Sequence, residues 1–297
     1  MKIVLLGPQR RPTLDGVVRS LGLAGRFATV TAGWQEREPD DGEFSALLGG
    51  DVANLGLYRR WLDVQERDPE YLEAERRLGQ VLAGLQEMYL LRLDYALRAV
   101  YAVQRRAGVD PDAVEEAVAA VRALDEAHRR RVNGARGEFY QRLEPHARPV
   151  IAAHRAEVEG ALRGVSALVI AGGHVGVLTG VLHLFNIAAA VAVSPGPGPV
   201  IAWSAGAMAL TDRIVLFHDR SPQGPGHPEV YGSGLSLLRD VVLLPHARAR
   251  LLLDDAPRMA VLAWRFAPAR CVPLEAGNRI DVTDGLWPAG VRVIEAA

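Results

Sequence analysis

The segment at residues 199–208, Pro-Val-Ile-Ala-Trp-Ser-Ala-Gly-Ala-Met, constrains the fold of this chain more than any other. Its apolar, β-branched start at Val200 and Ile201 predicts a short buried strand. The strand pattern stops at Ser204, and three small residues follow. A serine at a strand end, followed by small residues that enter a helix, is typical of a nucleophile elbow, whose strained turn lifts the hydroxyl above a sheet. An ordinary strand-to-helix turn with Ser204 as the helix N-cap fits the same residues.

The first residues of the chain predict the opening of an α/β sheet. Residues 3–6 are apolar and end at a Gly-Pro pair, which indicates a buried strand. Apolar residues at helical spacing follow over 14–21, and residues 27–31 form a second apolar run. A strand, a helix and a strand joined by short links form a parallel, right-handed unit. We therefore expect a doubly wound, mostly parallel sheet.

The middle of the chain shows a different pattern, because residues 42–163 contain almost no strand signal. Apolar residues recur at three- and four-residue spacing over 78–100 and again over 114–124. Between them, Asp110 and a following proline predict the N-cap and first turn of a new helix. We expect an all-helical insertion over 42–163, folded as a hairpin or small bundle. Its apolar face is either the core of the insertion or a surface for a homodimer.

The α/β pattern resumes at residue 164, so that residues 1–41 and 164–297 are expected to form one domain. Residues 167–171 predict a buried strand before the turn at Gly173. The mostly apolar stretch 175–193 is long enough to suggest a membrane-spanning helix. Glycine, histidine and asparagine interrupt it, which favours a buried helix instead. The glycine- and proline-rich stretch 221–234 has the length of a lid or of one side of a cleft.

The composition excludes several classes of protein. A net charge of −1 gives no general attraction to nucleic acid or to an anionic membrane. Lys2 is the only lysine, so no Schiff-base lysine, P-loop lysine or Ser-Lys dyad is available inside the chain. The single cysteine, Cys271, cannot form an intramolecular disulfide. With no cleavage site after an apolar leader, we expect a cytoplasmic protein without a cofactor.

A serine nucleophile needs a base, and the base needs an acid that fixes its tautomer. Among the eight histidines, His246 ends an apolar run, and Asp219 also follows a predicted strand. The carboxyl ends of parallel strands meet at one crevice, where both side chains can converge on Ser204. A loop histidine without a partner and a solvated aspartate fit the sequence as well. A zinc site built from histidines 218, 227 and 246 with Asp219 is a further alternative, although its spacing matches no recognised pattern.

Three motifs resemble the peptidase E and cyanophycinase family of serine hydrolases. They are Ala-Gly-Gly-His at 171–174, Ile-Ala-Trp-Ser-Ala-Gly-Ala at 201–207 and Leu-Leu-Pro-His-Ala-Arg at 243–248. As in that family, the acid follows the serine, here by 15 residues, and the histidine follows by 42. The resemblance covers about residues 1–35 and 164–297 and does not include the helical insertion. It implies a class I glutamine amidotransferase-like, flavodoxin-like fold.

The resemblance also implies a mechanism and a set of site residues. Ser204 is then the nucleophile, His246 the general base and Asp219 the orienting acid. The backbone N–H groups of Gly173 and Ala205 form the oxyanion hole. The remaining implied positions are substrate-binding, at His174, Trp203 and Arg248, with His174 standing where the family commonly has a polar amide. The expected activity is cleavage of a peptide or isopeptide bond in a small substrate, with no metal; the alternative is a non-catalytic protein that binds a small ligand or a partner.

Overall fold

The chain folds around a mostly parallel β-sheet with helices on both faces. A computed structural model describes residues 1–9, 12–106, 108, 110–192, 198–219 and 226–295. The strands are β1 (Lys2–Leu6), β2 (Arg26–Val30), β3 (Asp51–Asn54), β4 (Ala167–Ile170), β5 (Val200–Trp203), β6 (Ile214–Leu216), β7 (Glu229–Gly232), β8 (Val241–Pro245), β9 (Arg270–Leu274) and β10 (Arg279–Thr283). The helices are α1 (Leu14–Ser20), α2 (Gly42–Leu48), α3 (Leu57–Arg67), α4 (Pro69–Gln104), α5 (Pro111–Leu143), α6 (Pro149–Leu162), α7 (Val175–Leu184), α8 (Ile187–Ala192), α9 (Ala205–Ala209), α10 (Ala247–Arg250) and α11 (Ala256–Phe266).

Within the described residues, six strands form the main sheet in the order β10-β1-β5-β4-β2-β3. All neighbouring pairs are parallel except β10 with β1. Strand β1 shows why the sheet needs two covered faces: Ile3 and Leu5 enter one apolar cluster, and Val4 and Leu6 enter the other. Strands buried on both faces read as continuous apolar runs. The predicted α/β class, with a mostly parallel sheet and a large helical region, is confirmed.

The sheet takes its edge strand from the segment that was expected to be all helical. Strand β3 pairs in parallel with β2, and Asn54 fixes its end by donating to Asp41 Oδ2 (2.8 Å). Aspartate and asparagine are depleted in strands, and of the four residues only Val52 has a strong β preference. The free edge of β2 supplies the partner that the local sequence does not indicate. The helical part of the chain therefore begins after β3, at α3.

Helices α4 and α5 form a long antiparallel hairpin. Asp68 and Asp110 are their N-caps, each followed by a proline, as predicted for Asp110. The buried side of the hairpin, including Leu93 and Val121, joins the same apolar cluster as the sheet. Part of the predicted apolar stripe lies on the other side, where Val81 and other large residues of α4 are exposed. A homodimer through this surface stays a prediction.

The mostly apolar stretch that begins at residue 175 forms two helices instead of the single one expected. Asn186, with φ of +54°, separates α7 from α8 and ends the first helix early. Across the described parts of the chain, every helix is either too short or too polar to cross a membrane.

The stretch 221–234 contains a strand that was not predicted. Strand β7 pairs antiparallel with β6, while residues 221–225 of the expected lid lie outside the described residues. Near the C-terminus, Ile294 makes an isolated antiparallel bridge with Cys271. Whether such a short segment forms a strand depends on the neighbouring strand with which it can pair, and its own residues do not determine this.

Cys271 is expected to be inert to thiol reagents in the folded protein. It is 1% exposed in β9, and burial raises the pKa of its thiol to about 12. Because the thiolate is the reactive form, its reaction with Ellman's reagent at pH 7.5 should be at least about 100-fold slower in buffer than in 6 M guanidinium. Stoichiometric reaction within the mixing time in buffer would contradict this burial.

Candidate active site

Ser204 lies in a strained turn between β5 and α9. Its φ of +49° and ψ of −122° fall in a region that non-glycine residues rarely adopt. Such a conformation costs about 1–3 kcal/mol and persists only where the surroundings impose it. The strand, the turn and the helix follow one another without an intervening loop, and Met208 N–H donates to the Ser204 carbonyl (3.0 Å). The serine is therefore held at the carboxyl end of a central strand.

Backbone packed against backbone imposes this turn. A Cβ at Gly206 would lie 2.4 Å from the Ile170 carbonyl oxygen, so no side chain fits between α9 and β4. A Cβ at Gly172 would lie 2.8 Å from Ser204 Cβ, which places the turn after β4 directly beside the serine. Gly173 has φ of +130°, and its own Cβ would meet the Gly33 carbonyl oxygen at 2.3 Å. Close backbone packing therefore explains why the motifs at 171–174 and 201–207 contain small residues.

A large cavity opens at the carboxyl ends of the strands. Its volume is about 1230 Å³. Several of the predicted site residues line it: Gly173, Trp203, Ser204, Ala205 and His246. The apolar part of the lining includes Phe44, whose ring meets that of Trp203 edge to face at 5.2 Å. Ligand sites of α/β sheets occupy this position, because loops after neighbouring parallel strands meet there.

His246 reaches the cavity from the end of β8, as the sequence suggested. It has φ of +58° and precedes α10, and its backbone N–H donates to the Leu274 carbonyl (3.0 Å). This bond ties the residue to the neighbouring strand β9. The structure therefore brings His246 and Ser204 to the lining of one cavity.

Asp219 is buried but lies outside the lining of the cavity. Arg258 clamps its carboxylate, with Nε at 3.0 Å from Oδ2 and Nη2 at 2.6 Å from Oδ1. The Leu252 N–H donates to the same Oδ2 (3.1 Å). None of the hydrogen bonds that the structure describes joins this carboxylate to the His246 ring. The predicted triad role of Asp219 stays a prediction, and its observed partner is an arginine 39 residues further along the chain.

Two of the predicted substrate-binding residues do not line the cavity. His174 is exposed, and its Nδ1 accepts from Val177 N–H (3.2 Å), so it caps α7. Arg248 is also exposed, and its backbone N–H donates to Glu275 Oε1 (2.7 Å). Arg250, two residues further along α10, lines the cavity instead.

Leu90 of α4 and Glu229, which sequence reasoning missed, also line the cavity, as does His227, which the sequence suggested only as a zinc ligand. Burial raises the pKa of the Glu229 carboxyl and lowers that of the His227 imidazole. No motif marks these positions. Their place in the cavity depends on which face of α4 packs against the loop before β7.

The described residues contain no cluster of three or more His, Cys, Asp or Glu side chains that could hold a metal. The zinc alternative required Asp219 and His227 to share one ligand set. Instead, Asp219 binds Arg258, and His227 Nε2 lies 3.5 Å from Asp94 Oδ1. Asp219 and His227, two of the four side chains named for that site, therefore have other partners.

No protein-family model and no curated protein matches the sequence. Among solved structures, a peptidase from an acI-B1 Actinobacterium aligns with 100% of this chain and 91% of its own, at 13% identity and a TM-score of 0.46. A similarity of this size carries no argument about activity.

Proposed function

We propose that this protein is a serine hydrolase that cleaves a peptide or isopeptide bond through an acyl-enzyme on Ser204. The observation that carries the proposal is the conformation of Ser204, a strained residue at a central strand end that lines the same cavity as His246. Strain of this kind is concentrated at functional sites. We identify the turn as a nucleophile elbow on that basis.

The proposed reaction runs in two acyl-transfer steps. Ser204 Oγ attacks the carbonyl carbon while the His246 imidazole takes its proton. The imidazolium then gives that proton to the leaving amine, and the carbon–nitrogen bond breaks, which leaves an ester on Ser204. A water molecule, deprotonated by His246, then attacks the ester carbonyl and the acid is released, while the imidazolium returns the proton to Ser204 Oγ. No other reactant is consumed.

The oxyanion of each tetrahedral intermediate needs hydrogen-bond donors that are in place before the reaction. Ala205 N–H, at the start of α9, and Gly173 N–H, in the turn beside Ser204, are the proposed donors. The close packing of Gly172 against Ser204 supports this assignment. A donor of this kind contributes about 3 kcal/mol to the stability of the transition state.

We assign Asp219 a positioning role within this proposal. Its backbone N–H donates to the Arg250 carbonyl (2.6 Å), and its carboxylate accepts from Leu252 N–H (3.1 Å). Both contacts fix the C-terminal end of α10, the helix that follows His246. Asp219 thus supports the segment that carries the base.

The engagement of Asp219 by Arg258 also favours a second candidate function. If that carboxylate has no part in orienting the imidazole, the same cavity suits a protein that binds a small ligand without cleaving it. Such a protein does not activate Ser204.

A fluorophosphonate probe distinguishes the two functions. We expect the wild-type protein to be labelled and Ser204→Ala to remain unlabelled. Ser45→Ala, which removes a hydroxyl from α2, is the matched control and should be labelled like the wild type. Absence of labelling in the wild type would support the binding protein, and labelling that survives Ser204→Ala would place the nucleophile elsewhere.

A further inference from the structure

One face of α4 forms part of the wall of the cavity. Gln86, Leu90 and Asp94 are spaced by four residues and therefore lie on the same side of the helix. Leu90 lines the cavity itself, while Gln86 and Asp94 contact Glu229 and His227, which also line it. The helical hairpin, which the sequence motifs do not cover, thus builds part of the candidate active site.

Glu229 is a half-buried carboxylate that lines the cavity and makes no ion pair with any residue that the structure describes. Its Oε2 accepts from Gln86 Nε2 (3.2 Å), and Gln86 Oε1 lies 2.9 Å from His128 Nε2. This chain orients the Gln86 amide so that its NH₂ group faces Glu229. Among the described residues, no ion pair involves Glu229, whereas half-buried Arg258 and buried Arg265 are paired with aspartates. Burial raises the pKa of the Glu229 carboxyl and outweighs the Gln86 hydrogen bond and the charge of Arg265, which both lower it.

His227 also lines the cavity, and its Nε2 lies 3.5 Å from Asp94 Oδ1. Its Nδ1 is buried and has no hydrogen-bond partner among the described residues, so this atom is covered by protein and does not face the cavity. His227 therefore adds a ring to the cavity wall but no acceptor for a substrate.

We propose that Glu229 binds a positively charged group of the substrate, a primary ammonium or a guanidinium. This inference rests on the proposed function, because it takes the cavity at Ser204 to be the place where the substrate binds. The N–H groups of such a cation donate to the Glu229 carboxylate, and Leu90, which also lines the cavity, offers an apolar surface to its alkyl stem. Glu43 and Arg250 also line the cavity, but both are exposed. Solvent therefore screens the interaction of a bound cation with half-buried Glu229 less than its interactions with those two side chains.

Binding to the inactive Ser204→Ala variant tests this without requiring hydrolysis. The probes are acetyl-Ala-Lys-Ala-amide, its neutral norleucine analogue, and the norleucine peptide with a free amino terminus. The tryptophans that line the cavity, Trp34 and Trp203, supply the fluorescence signal. We expect at least one cationic peptide to bind about tenfold or more tightly than the neutral one, as for hydrogen bonds to charged groups. The acetylated and free peptides show whether the charge comes from a side chain or from the amino terminus.

Glu229→Gln, in the same Ser204→Ala background, should reduce that preference to about twofold or less. Glu87→Gln removes the same charge from the exposed side of α4 and should leave the preference unchanged. The proposal is overturned if no cationic peptide binds at millimolar concentration, if the neutral peptide binds equally well, or if the preference survives Glu229→Gln. Probe labelling of the wild type reports separately on the proposed function: labelling without a charge preference removes this inference alone, and a charge preference without labelling removes the hydrolase alone.

Discussion

Replacing Ser204 by alanine is expected to lower kcat/KM for hydrolysis by about 10⁴- to 10⁶-fold. The reason is that the covalent step has no other nucleophile, while the binding cavity and the oxyanion donors remain and give only a small residual rate. The substrate is first found by screening dipeptides and acidic isopeptides with the wild-type protein. The rates of the two proteins are then compared on the best substrate.

The interpretation of that comparison depends on an intact fold. Alanine removes a single oxygen, so the midpoint of chemical unfolding should stay close to that of the wild type. Ser45→Ala should keep the full rate. A Ser204→Ala protein that retains a tenth or more of the activity would show that the reaction does not proceed through this hydroxyl.

Replacing Asp125 by alanine is expected to lower the free energy of unfolding by about 3–5 kcal/mol, because it leaves a buried arginine without its counter-charge. The Arg265 guanidinium donates to both carboxylate oxygens of Asp125, at 2.7 and 2.8 Å, and the two side chains are 2% and 6% exposed. Tyr89 OH donates to Asp125 (2.8 Å) and accepts from Val230 N–H (3.0 Å). The network therefore joins the α4–α5 hairpin to α11 and β7.

Urea unfolding followed by tryptophan fluorescence measures the loss. Glu116→Ala, on the exposed side of α5, is the control and should change the free energy by no more than about 0.5 kcal/mol. The double variant Asp125→Leu with Arg265→Met should recover much of the loss, since it removes both buried charges. A loss below 1 kcal/mol in Asp125→Ala would show that the hairpin is not held by this pair.

The fold was predictable where one local pattern decides the outcome. The apolar runs that became β1, β4 and β5, and the cap at Asp110, depend on residues that are adjacent in sequence. Strands β3 and β7 escaped prediction because each is short and forms by pairing with a strand that already has a free edge. Asn186 interrupts the apolar helix through its backbone conformation, which composition does not reveal.

In the candidate site, too, some features depend on local sequence and others on the packing of distant elements. Ser204 and His246 stand in motifs at strand ends, and both line one cavity, although β8 pairs with β9 outside the main sheet. The clamp of Arg258 on Asp219 crosses 39 residues, and the wall at Glu229 depends on the face that α4 turns to the cavity. Both arise from the packing of distant elements, and no spacing along the chain indicates them.

The most direct test is to locate the adduct of a fluorophosphonate by peptide mass spectrometry and to measure its rate of formation. We expect a single adduct on the peptide that contains Ser204, formed at least about 100-fold more slowly in His246→Gln, because that variant lacks the base. An adduct on any other residue, or a rate that does not depend on His246, would contradict the assignment of Ser204 and His246 as nucleophile and base.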